Sequence, residues 1–152
     1  MEESRKYILF TLHGQAYAVD AQYVISIERL QQITEIPQTK EFIRGVTEIR
    51  DETTAIIDLR IALSLTTTEN TNDTRILVVT LEGMQIGLIV DAVTEVLDIN
   101  SNNIEDAPSI ISGVQAAYLE GVAKVNEQLI LLLDIAKMLD MEDKEGLKEV
   151  LQ

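Results

Sequence analysis

Short apolar runs dominated by Ile, Leu and Val recur along the chain, each bounded by polar turn formers. Runs of that length and β-branched composition predict strands rather than helices. In the first half they fall at residues 7–12, 17–19, 24–27, 43–49 and 53–57, followed by a brief helix beginning near Leu59. The second half offers 76–81, 85–90, 92–97, 119–125 and 129–133, then a helix near Ile135. Several runs are apolar on both faces, the pattern of strands covered from two sides. The last segment, MEDKEGLKEVLQ, instead sets Leu147, Val150 and Leu151 at helical spacing among charges, which predicts a docked C-terminal helix.

The two sets of runs are imperfect copies of each other. ILFTLHGQAYAV at 8–19 matches LVVTLEGMQIGL at 77–88, with Thr11 on Thr80, Leu12 on Leu81 and Gly14 on Gly83. The same offset of 69 (77 − 8) carries Val24 onto Val93 and Ile27 onto Val96. A second match sets 42–63 on 118–139, an offset of 76 (118 − 42), pairing Gly45 with Gly121, Val46 with Val122 and Asp58 with Asp134. The extra length falls in NSNNIEDAPSIISGVQAA at 100–117, rich in turn formers, and the polar run SLTTTENTNDT at 64–74 divides the halves.

Two repeats of five short strands predict a mainly β chain with two small barrels packed together, because closing a sheet on itself removes its exposed edges. On this reading residues 6–65 form the first barrel, 74–140 the second, and 141–152 the terminal helix of a single domain.

Composition narrows the function. The 152 residues are 46% apolar but hold only two Phe, four Tyr and no Trp, so the core is aliphatic. A net charge of −14 repels phosphate backbones and anionic lipid, which argues against nucleic acid and membrane surfaces as partners. With no cysteine, disulfides and thiolate metal ligation are excluded. The start, MEESRKYILF, lacks a basic region followed by a long apolar run, and no stretch reaches about 18 apolar residues, so the expectation is a soluble cytoplasmic protein.

No nucleotide, zinc-protease or hydrolase signature is present, and no cofactor or metal is expected. The single histidine, His13, precedes Gly14 in a predicted hairpin turn, where its repeat partner is Glu82; that pairing favours a solvated turn residue over a base. Asp58 and Asp134 each close a strand and precede a helix, so helix capping, worth about 1 kcal/mol, explains both better than a catalytic carboxylate pair does. The sequon Asn72-Asp73-Thr74 carries little weight without a secretion signal. Gly45 and Gly121 recur in the repeat, which favours a bulge or close backbone approach.

Differences between the copies say more, since shared residues are explained by shared fold. Arg50 corresponds to Asn126, so the turn does not demand a guanidinium. Two readings remain open: a binding arginine, or a surface ion pair with Glu48, Asp51 or Glu52 worth about 0–1 kcal/mol.

The ordered set YILFTLHGQAYAVDAQYVISIE, FIRGVTEIRDETTAIIDLR, RILVVTLEGMQIGLIVDAVTEVLDI and YLEGVAKVNEQLILLLDIAKML resembles the CheW family of bacterial chemotaxis adaptors over about residues 6–140. The resemblance implies two SH3-like five-stranded barrels and a non-enzymatic adaptor joining the cytoplasmic tip of a methyl-accepting chemoreceptor to the regulatory domain of a CheA-type histidine kinase, recruited to membrane receptor arrays. It implies receptor-coupling roles for Arg50, Gly87, Val93, Val96 and Gly121, and kinase-coupling roles for Val24 and Gly45. Two departures stand out. The family's N-L-R-G turn reads Glu48-Ile49-Arg50-Asp51, which predicts an altered hairpin, and a glutamate common before the E-I-R stretch becomes Ser26. These leave room for a CheW-like paralogue with other partners or a structural place in an array. An enzyme or ligand-binding protein using Asp20, Asp58, Asp91 and Asp134 is the reading from a different class.

Overall fold

Each half of the chain lays down hairpins around two-residue turns. In the computed structural model, which describes residues 3–37, 40–66, 69–111 and 113–151, the first half holds β1 (Ser4–Leu12), β2 (Gln15–Asp20), β3 (Val24–Arg29), β4 (Ile43–Ile49), β5 (Glu52–Asp58) and a one-turn helix α1 (Leu59–Ala62). The second holds β6 (Arg75–Leu81), β7 (Met84–Val90), β8 (Ala92–Asn100), three two-residue strands β9 (Ile104–Glu105), β10 (Ile110–Ile111) and β11 (Val114–Gln115), then β12 (Leu119–Val125), β13 (Gln128–Leu133) and α2 (Ile135–Met138). The chain ends in α3 (Met141–Val150). Thr67 and Thr68 of the dividing run, Ser112 of the longer connection and Gln152 of the last segment lie outside the described residues.

The hairpin turns His13-Gly14, Arg50-Asp51, Glu82-Gly83 and Asn126-Glu127 all have positive φ at both residues, the geometry whose twist matches paired strands. Arg50-Asp51 takes the same two-residue form as the chain's other three hairpins, with Ile49 paired to Glu52 across it. Asp58 and Asp134 cap their helices, accepting from the backbone N–H of Arg60 and Lys137 respectively.

Pairing between strands departs from the division at residue 65. One sheet runs β8-β1-β2-β13-β12-β9 and the other β3-β6-β7-β5-β4, so each repeat gives its first two strands to the other's sheet. β1 and β2 leave the segment 6–65 and join β8, β12 and β13; β6 and β7 leave 74–140 and join β3, β4 and β5. The crossings come where Ala21–Tyr23 leads from β2 into β3 and where Asp91 leads from β7 into β8. At those points β2 already has β1 on one edge and β13 on the other, so the emerging strand must pair elsewhere.

Both sheets close through a continuation of their third-in-repeat strand. β8 runs on through a 3-10 turn at Ser101–Asn103 into β9, which pairs with β12, while the chain beyond β3 returns at Thr34 to pair with Val46 of β4. Two five-stranded barrels result, with β9 counted as the end of β8, as the repeat predicts in number but not in membership.

Strand alternation now has a clear physical use. On β6, Ile76 and Val78 face the interior of their own barrel with Ile49, Ile56 and Ile89, while Leu77 and Val79 face the layer between the barrels. On β1, Tyr7 and Leu9 face inward and Ile8 and Phe10 outward to the shared layer. Leu147 of α3 is fully buried against that layer, with Val150 and Leu151 beside it. Lys144 pairs with Glu82 at 3.4 Å and Lys40 with Asp143, and Asp140 and Asp143 form a reciprocal capping box.

Phe10 and Tyr17 stack in the shared layer with ring centroids 5.7 Å apart. Burial pushes the Tyr17 phenol up to about 12 from its ordinary value. A phenol that resists ionisation only when folded leaves stability intact below about pH 10, and stability falls as the pH rises from about 10 to 12, by roughly 2 kcal/mol. Urea midpoints measured across that range should drop, and less steeply for Tyr17→Phe.

Candidate functional site

Arg50 stands at the tip of the β4–β5 hairpin, exposed, with φ of 55° followed by 63° at Asp51. Its guanidinium makes no ion pair or side-chain hydrogen bond among the described residues, so the reading as a surface pair with Glu48, Asp51 or Glu52 is not what the structure shows. Left-handed backbone at two residues with side chains costs roughly 1–2 kcal/mol each. Asp51→Gly should therefore raise the unfolding free energy by about 0.5–1 kcal/mol in urea titrations, keeping the hairpin and Arg50 in place.

Gly45 and Gly87 share one row across their barrel: Gly45 pairs with Ile56, Ile56 with Gly87, Gly87 with Val78, and Val78 with Ser26. Gly45 has φ of 142°, and a methyl group there would lie 2.0 Å from the carbonyl oxygen of Thr34, at the point of closure. Gly87 faces the barrel interior, where a methyl group would meet Ile76 at 2.6 Å and Ile56 at 2.8 Å. Gly121 occupies the copy of Gly45, and a methyl group would come within 2.7 Å of the Glu105 carbonyl, again at the closure. These three glycines are buried and shape the barrels. Val24 and Val93, copies of each other, are partly buried against the shared layer. Val96 is 55% exposed on β8. Of the seven residues singled out by resemblance, Arg50 and Val96 present side chains openly to solvent.

Two features escape the sequence reading. An apolar strip follows β3, where Tyr23, Ile25, Ile27 and Leu30 are all exposed. Its signal is the absence of polar residues at alternate positions of YVISI. The second is Arg60, buried in α1 with its side chain only 3% exposed. Its Nε and Nη2 donate to Asp58 at 3.0 and 3.2 Å, its Nη1 to Asp91 at 3.2 Å and its Nη2 to Asn70 at 3.2 Å. Burial works against its charge, but the hydrogen bonds and attraction of Asp58 and Asp91 outweigh burial and raise its pKa. Asp91 also accepts from the backbone N–H of His13 at 2.9 Å, so one guanidinium links α1, the β7–β8 crossing and a turn of the other barrel. The repeat carries the signal here too, because the copy of Arg60 is Ala136.

The duplicated barrels with exchanged strands are a specific architecture, and comparison with known proteins agrees. Residues 6–143 match the CheW-like domain family. The chain belongs to the CheW family. It is 31% identical to the chemotaxis protein CheW of Bacillus subtilis over 96% of its length and 94% of that relative's. It is also 31% identical to CheW of Klebsiella aerogenes, over 91% of this chain and 84% of the other. The crystal structure of the scaffolding protein TtCheW from Thermoanaerobacter tengcongensis superposes with a TM-score of 0.84 at 31% identity, covering 93% of this chain and 91% of that one. In this CheW-family chain the carboxylates Asp58 and Asp91 are committed to Arg60, and Asp20 accepts from Gln22 and pairs with Arg5. Among the described residues no helix is long and apolar enough to cross a membrane.

Proposed function

We propose that this CheW-family chain is a non-enzymatic chemotaxis adaptor that couples the cytoplasmic tips of chemoreceptors to the regulatory domain of a CheA-type histidine kinase. It acts in the cytoplasm, recruited to membrane receptor arrays. The observation that carries this reading is Arg50: an exposed guanidinium without a partner among the described residues, on a strained two-residue turn, at a place the internal copy leaves to Asn126. A planar fork of donors on a rigid hairpin suits recognition of a partner's carboxylate or carbonyl groups. Val96 adds exposed apolar area to the receptor side, and Val93, Gly87 and Gly121 act there through the shape of the barrels. Val24 and Gly45 act in the same way on the kinase side, behind the exposed strip of β3.

Isothermal titration of a soluble receptor tip and of a kinase regulatory domain tests the proposal, with saturable binding to both as the expected result. Arg50→Ala should weaken receptor binding about tenfold while the unfolding midpoint stays where it is. Equal loss of folding stability and binding would return Arg50 to a structural role. A second reading, a CheW-like paralogue with a different kinase-side partner, is favoured by one detail. Ser26 stands where a glutamate is common, and its hydroxyl is buried without a hydrogen-bond partner among the described residues. Receptor binding without kinase binding would select it.

A further inference from the structure

Two cavities share four repeat-related lining positions, the second also bordered by Thr80, Leu81 and Glu82 of the other barrel, and the two differ in charge. One, about 430 Å³, is lined by Arg44, Asp58, Arg60 and Ile89 among others. The other, about 270 Å³, is lined at the copied positions by Glu120, Asp134, Ala136 and Asp20. The offsets of 76 and 69 carry each of the first four onto its counterpart (44 + 76 = 120; 58 + 76 = 134; 60 + 76 = 136; 89 − 69 = 20). In the first cavity the chain supplies its own guanidinium: Asp58 Oδ1 accepts from Arg60 Nε and Oδ2 from Nη2. In the second, Ala136 leaves that volume open. Asp134 Oδ1 accepts from the Lys137 backbone N–H, while its Oδ2 has no donor among the described residues.

Arg5, Glu120 and Asp20 at the second cavity already have partners. Arg5 reaches Asp20 at 3.5 Å and Glu120 at 3.7 Å from the rim, half exposed; Tyr7 donates to Glu120, and Gln22 to Asp20 at 2.9 Å. With Lys144 reaching Glu82 at 3.4 Å, two cations, Arg5 and Lys144, stand against the four carboxylates Asp20, Glu82, Glu120 and Asp134. No group of carboxylates placed to hold a metal ion occurs among the described residues.

We propose that this cavity receives an arginine side chain presented by a partner protein, which completes at Asp134 the arrangement that Arg60 completes at Asp58. A guanidinium offers the carboxylate two parallel N–H donors and is more weakly hydrated than an ammonium group, so it enters a partly enclosed cavity more readily than lysine does. Val19, Leu133 and Ile135 provide apolar wall for its methylene stem. The surplus negative charge steers a cation toward the opening. The inference rests on the internal copy and stands whichever partner the adaptor reading assigns.

The test is a titration of the full isotope-labelled chain with acetyl-Gly-Arg-Gly-amide at physiological salt, followed by amide chemical shifts, with the lysine and citrulline peptides as comparisons. Saturating shifts confined to residues around Asp20 and 134–136 are expected, strongest for arginine and absent for citrulline. Asp134→Asn, which retains a capping side chain, should weaken the arginine peptide about tenfold. Ala136→Arg, at an exposed position, should block the peptide by filling the cavity with its own guanidinium. Non-saturating shifts scattered over the acidic surface, equal responses to arginine and lysine, or affinity unchanged by Ala136→Arg would each overturn the proposal.

Discussion

Gly45→Ala should destabilise the protein by about 3–5 kcal/mol, more than Gly121→Ala or Gly87→Ala. Two costs combine. The residue holds φ of 142°, a region that L side chains rarely adopt, and its new methyl group would sit 2.0 Å from a backbone oxygen, that of Thr34. The chain at Thr34 cannot withdraw cheaply, because its N–H and C=O both bond to Val46 at 2.9 Å and close the barrel there. Gly121→Ala should cost less, since its contact with Glu105 is longer at 2.7 Å. Gly87→Ala should cost about 1–3 kcal/mol, because the atoms it meets are the ends of Ile side chains that can shift. Urea unfolding of the three variants gives the order directly. The ranking also bears on function: a Gly45 variant that bound the kinase domain poorly yet unfolded like the parent would make Gly45 a contact residue rather than a hinge of the barrel.

Arg60→Leu is the second large effect, about 3–5 kcal/mol, because it leaves Asp58 buried beside an apolar side chain with no countercharge. The pair is itself a modest source of stability, since burying both charges costs much of what their attraction returns. The asymmetry between keeping the pair and breaking it is therefore the measurable quantity. The double variant Arg60→Leu with Asp58→Asn should recover a large part of the loss, as it removes the stranded charge and keeps a cap for α1. Arg60→Lys should fall between, because an ammonium group cannot reach Asp58, Asp91 and Asn70 together as the fork does. If single and double variants unfolded alike, the loss would lie in packing rather than charge.

Arg50 and Arg60 are ten positions apart, and both are missing from the second repeat, where Asn126 and Ala136 stand. Comparison of copies alone therefore flags both as departures from the shared fold. Burial separates them: one guanidinium is exposed and available, the other almost wholly enclosed and bound on several sides. Arg50 is accordingly the residue proposed for receptor contact, while Arg60 joins α1, a crossing and a turn of the other barrel.

Local chemistry was written plainly in the sequence. The apolar runs and their turns placed the ten main strands, because alternation, β-branching and positive-φ turn positions act within a few residues of one another. The same holds for the helix caps at Asp58 and Asp134, while the duplication led to two five-stranded barrels and the ordered motifs over residues 6–140 carried the resemblance to the CheW family. The tertiary structure alone decided which strands share a barrel. Every strand offers the same backbone donors and acceptors, and where both faces are apolar the pattern does not distinguish a barrel's interior from the layer between barrels. Exchange of the first two strands, closure against Gly45 and the burial of Arg60 all follow from that non-local choice, so none of them could be read one segment at a time.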